Sequence, residues 1–420
     1  MTRVTHPAFR VVGGTRGGRG GPGVGVGYDN RMLILVDEAI TGATELLQEF
    51  GHVRTFAGRL LAPVDTSDAD VLIVRSVTRV DAKLLTGSHV RFVGTATSGI
   101  DHVDTAWLKK NSIAFAAAAG CNARTVAEYV LGSILHVAER YGFDPRDKTL
   151  GVIGVGHVGS RVADWGRALG MQVLLCDPPL RRQSGGTQFV GFSELASRAD
   201  IVTLHVSLTR SGDDATWGMV NRSWLSTLKT GAMLINTSRG QVVCEGDLLA
   251  AIDSGSLGAV VLDVWRNEPD VDRGLVDRVE IATPHVAGYS VEAKQRGVRM
   301  IRDALADFVR AQRCSCDRGL GRETRSVERA GGGGIDGAVT PRTKGWYLAA
   351  GEVIRQACDI AVMDEAFRKA LRRSDSAKGF DRLREASASR REFTSHRVKS
   401  PSIRGEVGGL LSHIGFQIVA

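Results

Sequence analysis

The sequence predicts an α/β protein built on doubly wound parallel sheets, and three observations carry that expectation. Short apolar runs recur along residues 32–310. They alternate with segments of helical periodicity, and one of them opens into a glycine-rich turn. Leu33-Ile34-Leu35-Val36, Val71-Leu72-Ile73-Val74 and Phe92-Val93 read as buried parallel strands, being apolar throughout rather than alternating. Residues 123–140 read as a long helix, with Val126, Val130, Ile134 and Val137 at helical spacing. From Lys148 a second block follows, with strands at 149–153, 172–176, 201–205, 232–236 and 259–263 and helices between them.

The flanks differ in texture. Residues 1–31 contain Gly13-Gly14, Gly17-Gly18 and Gly20-Gly21, which predict a disordered extension ahead of Met32, itself a candidate start. After Arg313 a Gly- and Arg-rich stretch with Gly331–Gly334 reads as a linker over 311–345. Helical periodicity resumes over 346–371, and 380–420 is a small mixed segment. The net charge of +8 is confined to these flanks: residues 1–31 carry +4 and 311–420 carry +7, leaving the centre at −3. Without a basic stripe in the body, nucleic acid is not expected as the main partner, and only the basic flanks leave it open. No apolar run is long enough to span a bilayer, and no secretory signal precedes Met32. The cysteines Cys121, Cys176, Cys244, Cys314, Cys316 and Cys358 form no C-x-x-C pair and no zinc spacing, as in a cytoplasmic protein with reduced thiols.

The glycine turn is the most informative local feature. Gly154-Val155-Gly156-His157-Val158-Gly159 follows the apolar strand 149–153 and opens a helix at 158–169. On its own such a spacing is weak; in that context it fits a Rossmann-type dinucleotide site. Gly154 permits the turn, Gly156 lets backbone approach a pyrophosphate, and Gly159 allows close helix–strand packing. The helix start at His157 and Val158 offers NH groups and the positive dipole end to the phosphates. Asp177, eighteen residues beyond Gly159 and just past the next strand, accepts ribose hydroxyls and repels a 2′-phosphate, favouring NAD. Arg181 and Arg182 lie close enough to blur that preference.

Three further strand ends carry polar groups where an open α/β sheet places its crevice. The first is Asn236-Thr237-Ser238-Arg239-Gly240, the second Asp263-Val264-Trp265-Arg266-Asn267-Glu268, and the third Thr283-Pro284-His285. Arg239 offers a planar fork for a carboxylate and its neighbouring oxygen. Oxidising a secondary alcohol needs a base for the hydroxyl proton, and His285 suits that role when Glu268 orients its second nitrogen. Asp263 is suited to the nicotinamide end of the cofactor. Each residue alone has an ordinary explanation: a surface cation, a loop acid, a core histidine. Their order after the dinucleotide fingerprint, each following an apolar strand, favours chemistry.

At these residues the chain resembles the D-isomer-specific 2-hydroxyacid dehydrogenases, whose catalytic Arg, Glu and His come in this order. The resemblance is carried by Val74-Arg75-Ser76-Val77-Thr78, Val93 to Asp104, Gly120-Cys121-Asn122-Ala123, Glu128-Tyr129-Val130, Cys176-Asp177-Pro178-Pro179 and Pro284 to Tyr289. It covers residues 32–310. It continues more weakly through 346–420, where Phe380-Asp381-Arg382-Leu383-Arg384 and Arg390-Arg391-Glu392 are similar to a C-terminal dimerisation domain.

The resemblance implies that Arg239, Glu268 and His285 are catalytic, that Ser76, Thr97 and Tyr289 contact substrate, and that Asp177, Asp263 and Gly288 contact NAD. Thr237 and Ser238 join the cofactor set with Gly154, Gly156, His157, Val158 and Gly159. It implies a flavodoxin-like substrate domain over 32–130 plus 286–310 and an NAD domain over 131–285, with the helix near 123–140 crossing between them. A small α+β dimerisation domain is implied over 346–420, pairing two copies. The substrate class is a small phosphorylated 2-hydroxy acid. Two departures stand out: Val206-Ser207 where the family usually has Thr-Pro after the histidine, and Cys244 where relatives commonly have Asp. Rival expectations are a dehydrogenase of the phosphoglycerate or glyoxylate/hydroxypyruvate type and a non-catalytic NAD-responsive binding protein on the same fold.

Overall fold

In a computed structural model the described residues are 32–316, 345–372, 376–399 and 406–419. The expected extension at 1–31 and most of the expected linker lie outside them. The chain divides into two compact units, the first ending at Cys121 and resuming at Lys294, the second taking the remainder.

In the first unit, β1 (Leu33–Asp37), β2 (His52–Phe56), β3 (Val71–Val74), β4 (Phe92–Thr95) and β5 (Ala114–Ala117) form one parallel sheet. Its order, β2-β1-β3-β4-β5, is the flavodoxin-like arrangement. Successive side chains point to opposite faces, so each apolar strand feeds two cores. Ile34, Val36 and Ile73 pack with Val298, Ile301 and Leu305 of the helix Val291–Cys316. Leu35, Leu72, Val74 and Val93 pack with Leu84, Leu85 and Leu108. The long helix crosses β4 closely: a Cβ at Gly94 would stand 2.7 Å from Ile301 Cγ2.

The second unit is built on β6 (Thr149–Ile153), β7 (Gln172–Cys176), β8 (Ile201–Leu204), β9 (Ala232–Asn236), β10 (Leu257–Leu262) and β11 (Ile281–Ala282). They pair in parallel in the order β11-β10-β9-β8-β6-β7. A Rossmann sheet would carry another strand outside β7; here it shrinks to a single bridge between Leu175 and Phe189. The strand order reverses between β6 and β8. The carboxyl ends on either side of that reversal are where such sheets bind ligands.

The unit boundary departs from the expected one. The helix Ala123–Tyr141 does not cross between units; it lies wholly in the second. The reason is its stripe of Val126, Val130, Ile134 and Val137, which packs in one core with Leu150, Val152 and Trp165. Residues 286–293, expected with the first unit, also stay with the second. Ser290 and Glu292 hold them there through Glu392 and Arg391.

The C-terminal segment is a small α+β assembly. It comprises the helices Trp346–Ala357, Ile360–Leu371, Ser376–Ala386 and Glu406–Ile414, with β12 (Arg397–Val398) pairing β13 (Gln417–Ile418). It groups with the second unit. Trp346, Phe393 and Phe416 join the core of the helix Ala123–Tyr141, while Phe367 and Phe380 join Trp265. The helical pattern over 346–371 is two helices, because the Asp359 carboxylate accepts the Val362 NH at 3.1 Å and starts the second.

Candidate active site

The glycine turn follows β6. Gly154 has φ +85°, and a Cβ there would meet the His205 carbonyl oxygen at 2.6 Å. A Cβ on Gly159 would fall 1.9 Å from the Gly154 oxygen, so only glycine lets the helix start against the strand. At Gly156, by contrast, a Cβ would meet nothing within 4 Å. The helix His157–Ala168 begins at Gly156 without a side-chain cap, leaving its first NH groups with no side-chain acceptor. His157 is exposed and Val158 half-buried. This uncapped start fits a pyrophosphate.

Asp177, at the end of β7, accepts the Val155 NH at 2.8 Å through Oδ2 and the Leu180 NH at 2.9 Å through Oδ1. Each oxygen keeps lone-pair capacity for a ribose hydroxyl. Arg182 is drawn into an ion pair with Asp214.

After β9 an asparagine shapes the next turn. Asn236 is fully buried; its Oδ1 accepts the Ser238 NH at 3.0 Å and the Ser238 hydroxyl at 2.8 Å, and its Nδ2 donates to the Arg239 carbonyl at 2.9 Å. Arg239 Nη1 in turn donates to the Ser238 carbonyl at 2.6 Å. Gly240 follows because a Cβ would collide with the Trp265 backbone at 2.0 Å. Thr237 faces His205, 3.4 Å from Nδ1, while Thr203 sits 2.9 Å from Nε2. Burial pushes the His205 pKa down to about 3, so the ring is neutral. Asn236 and His205 were not among the expected site residues. A polar residue at each strand's carboxyl end was their only signal.

The segments after β10 and β11 bring Glu268 and His285 together. His285 Nδ1 lies 2.8 Å from Glu268 Oε2, and Glu268 Oε1 accepts the Trp265 NH at 2.9 Å. Burial raises the Glu268 carboxyl, but His285, the Trp265 NH and the Arg384 guanidinium outweigh it and hold its pKa below the usual value. A carboxylate on Nδ1 sets the tautomer in which Nε2 can receive a proton.

His285 has φ +58°, a left-handed conformation for a non-glycine residue. Asp263 holds it there. The Asp263 carbonyl accepts the His285 NH at 2.6 Å; its carboxylate accepts the Thr283 hydroxyl at 2.6 Å, the Val286 NH at 2.8 Å and the Ala287 NH at 2.9 Å. Burial raises the Asp263 pKa, against His285 and these donors. Tyr129 closes the network by meeting the Thr283 hydroxyl at 2.7 Å. The carboxylate expected at the nicotinamide also shapes the histidine turn, at 1% exposure. Gly288 packs on Asn122, whose Nδ2 would stand 2.3 Å from a Cβ, and Tyr289 follows half-buried.

Ser76 and Thr97 lie in the first unit, just past β3 and β4. Ser76 is exposed, and the Thr97 hydroxyl sits 2.9 Å from that of Thr95. Among the described residues there is no group of three or more His, Cys, Asp or Glu placed to hold a metal. No helix among them is long and apolar enough to cross a membrane.

Comparison with known proteins agrees with this geometry. Residues 123–287 match the family described as D-isomer specific 2-hydroxyacid dehydrogenase, NAD binding domain. The chain belongs to the D-isomer specific 2-hydroxyacid dehydrogenase family, and it is an NAD-dependent oxidoreductase. Within the family, its curated relatives include erythronate-4-phosphate dehydrogenases. That of Proteus mirabilis (strain HI4320) is 48% identical over 278 residues, 66% of this chain and 74% of the relative. That of Enterobacter sp. (strain 638) is 39% identical over 394 residues, 92% of this chain and 99% of the relative. Among solved structures, NAD-dependent formate dehydrogenase from Staphylococcus aureus in complex with NAD aligns with a TM-score of 0.56 at 25% identity. That alignment covers 67% of this chain and 96% of the other.

Proposed function

We propose that this chain oxidises 4-phospho-D-erythronate with NAD to (R)-3-hydroxy-2-oxo-4-phosphooxybutanoate, a step of pyridoxal 5′-phosphate (vitamin B6) biosynthesis. The observation that carries the reading is the His285–Glu268 pair, 2.8 Å apart on an Asp263-braced turn. It stands in a chain 39% identical over nearly its full length to a relative named for this reaction.

When bound, NAD supplies the hydride acceptor. Arg239 grips the substrate carboxylate with its planar fork and draws electron density from the reacting carbon. His285 takes the C2 hydroxyl proton at Nε2 while the C2 hydrogen leaves as hydride, so the alcohol becomes a ketone. Glu268 stabilises the resulting imidazolium through Nδ1. The amides at the start of the helix His157–Ala168 hold the pyrophosphate, and Asp177 holds the ribose. Thr237, Ser238, Asp263 and Gly288 complete the cofactor contacts, and Ser76, Thr97 and Tyr289 bind substrate. The unit of residues 32–121 with the helix from Lys294 serves the substrate, and residues 122–293 serve NAD. Residues 346–420 pair two copies in a cytoplasmic homodimer; light scattering at micromolar concentration reads the pairing, and a monomer mass refutes it.

The test of function follows NADH formation with 4-phosphoerythronate, 3-phosphoglycerate, glycerate and lactate. Preferential oxidation of the first supports the reading. Preference for another acid keeps the mechanism and discards the substrate.

A further inference from the structure

The C-terminal segment brings a cation to the loop that follows His285. Arg384, on the helix Ser376–Ala386, has its guanidinium carbon 5.4 Å from the Tyr289 ring centroid and 5.9 Å from that of Phe380. Its side chain is only 14% exposed, and its ion pair with Asp381 is long, 3.9 Å. Nε is buried and has no hydrogen-bond partner among the described residues. Its charge also reaches Glu268, alongside that of His285.

A guanidinium withdrawn from water with one buried donor unfilled is unfavourable unless an anion neutralises it. The planar fork matches the oxygens of a phosphate. The proposed substrate has two anionic ends, and Arg239 accounts for the one beside the reacting carbon. We infer that Arg384 binds the phosphate end. The C-terminal segment then sets the preference for phosphorylated over unphosphorylated 2-hydroxy acids. This rests on the proposed function for the substrate's identity, though not for the anion's chemistry.

The experiment compares wild type, Arg384→Gln and Arg384→Lys, each saturated with NAD. Inorganic phosphate is the ligand probe, and 4-phosphoerythronate and erythronate form the kinetic pair. The expected result for Arg384→Gln is a KM for 4-phosphoerythronate raised about 10- to 100-fold, the scale of a charged hydrogen bond. Its kcat/KM for 4-phosphoerythronate should fall at least about ten times further than its kcat/KM for erythronate. Phosphate should raise the Tm of wild type, not of Arg384→Gln, and partly of Arg384→Lys.

An unaltered phosphate-induced rise in Arg384→Gln overturns the proposal. So does an equal loss on both acids, which would make Arg384 a positioning residue for the Glu268–His285 pair. If circular dichroism shows Arg384→Gln unfolded, Arg384→Lys serves the same comparison, and undiminished phosphate affinity and KM there count against it. Turnover of a different phosphorylated acid would sink the substrate reading alone, since the phosphate arm still decides Arg384.

Discussion

His285 adopts a left-handed backbone because Asp263 binds its NH through the carbonyl and the next two NH groups through the carboxylate. Left-handed non-glycine residues concentrate where the surrounding structure over-determines them, and here the gain is a fixed ring aimed by Glu268. Replacing His285 with Ala should lower kcat by about 10²- to 10⁴-fold, the usual share of a general base, while NAD still binds with unchanged affinity. Isothermal titration beside steady-state kinetics checks both halves; a loss of NAD affinity equal to the loss of rate would reassign the residue. The strand ends ahead of Arg239, Glu268 and His285 were legible in the sequence, because an apolar run precedes each. The work of Asp263, Asn236 and His205 was not. Their partners are backbone amides and hydroxyls brought together by turns, and no residue spacing encodes which amide a carboxylate will reach.

At the scale of elements, buried strands were legible and marginal ones were not. β3 and β9 are buried at every position and read as apolar runs. β2 is an edge strand with His52, Arg54 and Thr55 exposed, β5 is Ala-Phe-Ala-Ala, and β11 has two residues; none carries a pattern of its own. The departure at Cys244 has a local consequence. Cys244 begins the helix Glu245–Asp253 with no side-chain hydrogen bond to its first turn. Cys244→Asp should therefore stabilise the protein by about 0.5–2 kcal/mol, the value of an N-cap, and raise the urea midpoint; an unchanged midpoint would show that the cap is already satisfied another way.

The C-terminal elements carry their own test. Phe393 is fully buried, stacked 4.5 Å from Phe416 and 6.3 Å from Trp165. Phe393→Ala should cost about 3–5 kcal/mol. Since that core is shared with β6, the whole second unit should lose stability in one transition, whereas a separate early transition would mark the segment as an independent domain.

The whole molecule is organised around two parallel sheets of different strand order, and both orders follow from where the apolar runs and crossover helices fall. What the sequence concealed is how the C-terminal segment joins the second unit: through a buried cluster of charges. Arg390 lies 3.3 Å from Glu128; Glu128 also accepts the Phe393 NH at 2.8 Å, and Glu392 accepts the Thr125 hydroxyl at 2.6 Å. Burial raises the Glu128 pKa to about 7 from 4.5, against Arg390 and the Phe393 NH. Between those values the folded protein retains a proton that the unfolded chain has released, so this group's contribution to stability falls as pH rises through that window and levels off above it. Glu128→Gln removes the dependence, and the Tm of wild type relative to the variant should decline from about pH 5 to about pH 8; a constant difference would mean Glu128 is ionised throughout. The central claim concerns chemistry on this scaffold, and NADH formation by the purified protein on 4-phosphoerythronate tests it most directly, with His285→Ala run in parallel. Selective turnover of that acid, abolished in the variant, is the result expected; turnover that survives the variant, or silence on every hydroxy acid despite NAD binding, would contradict it.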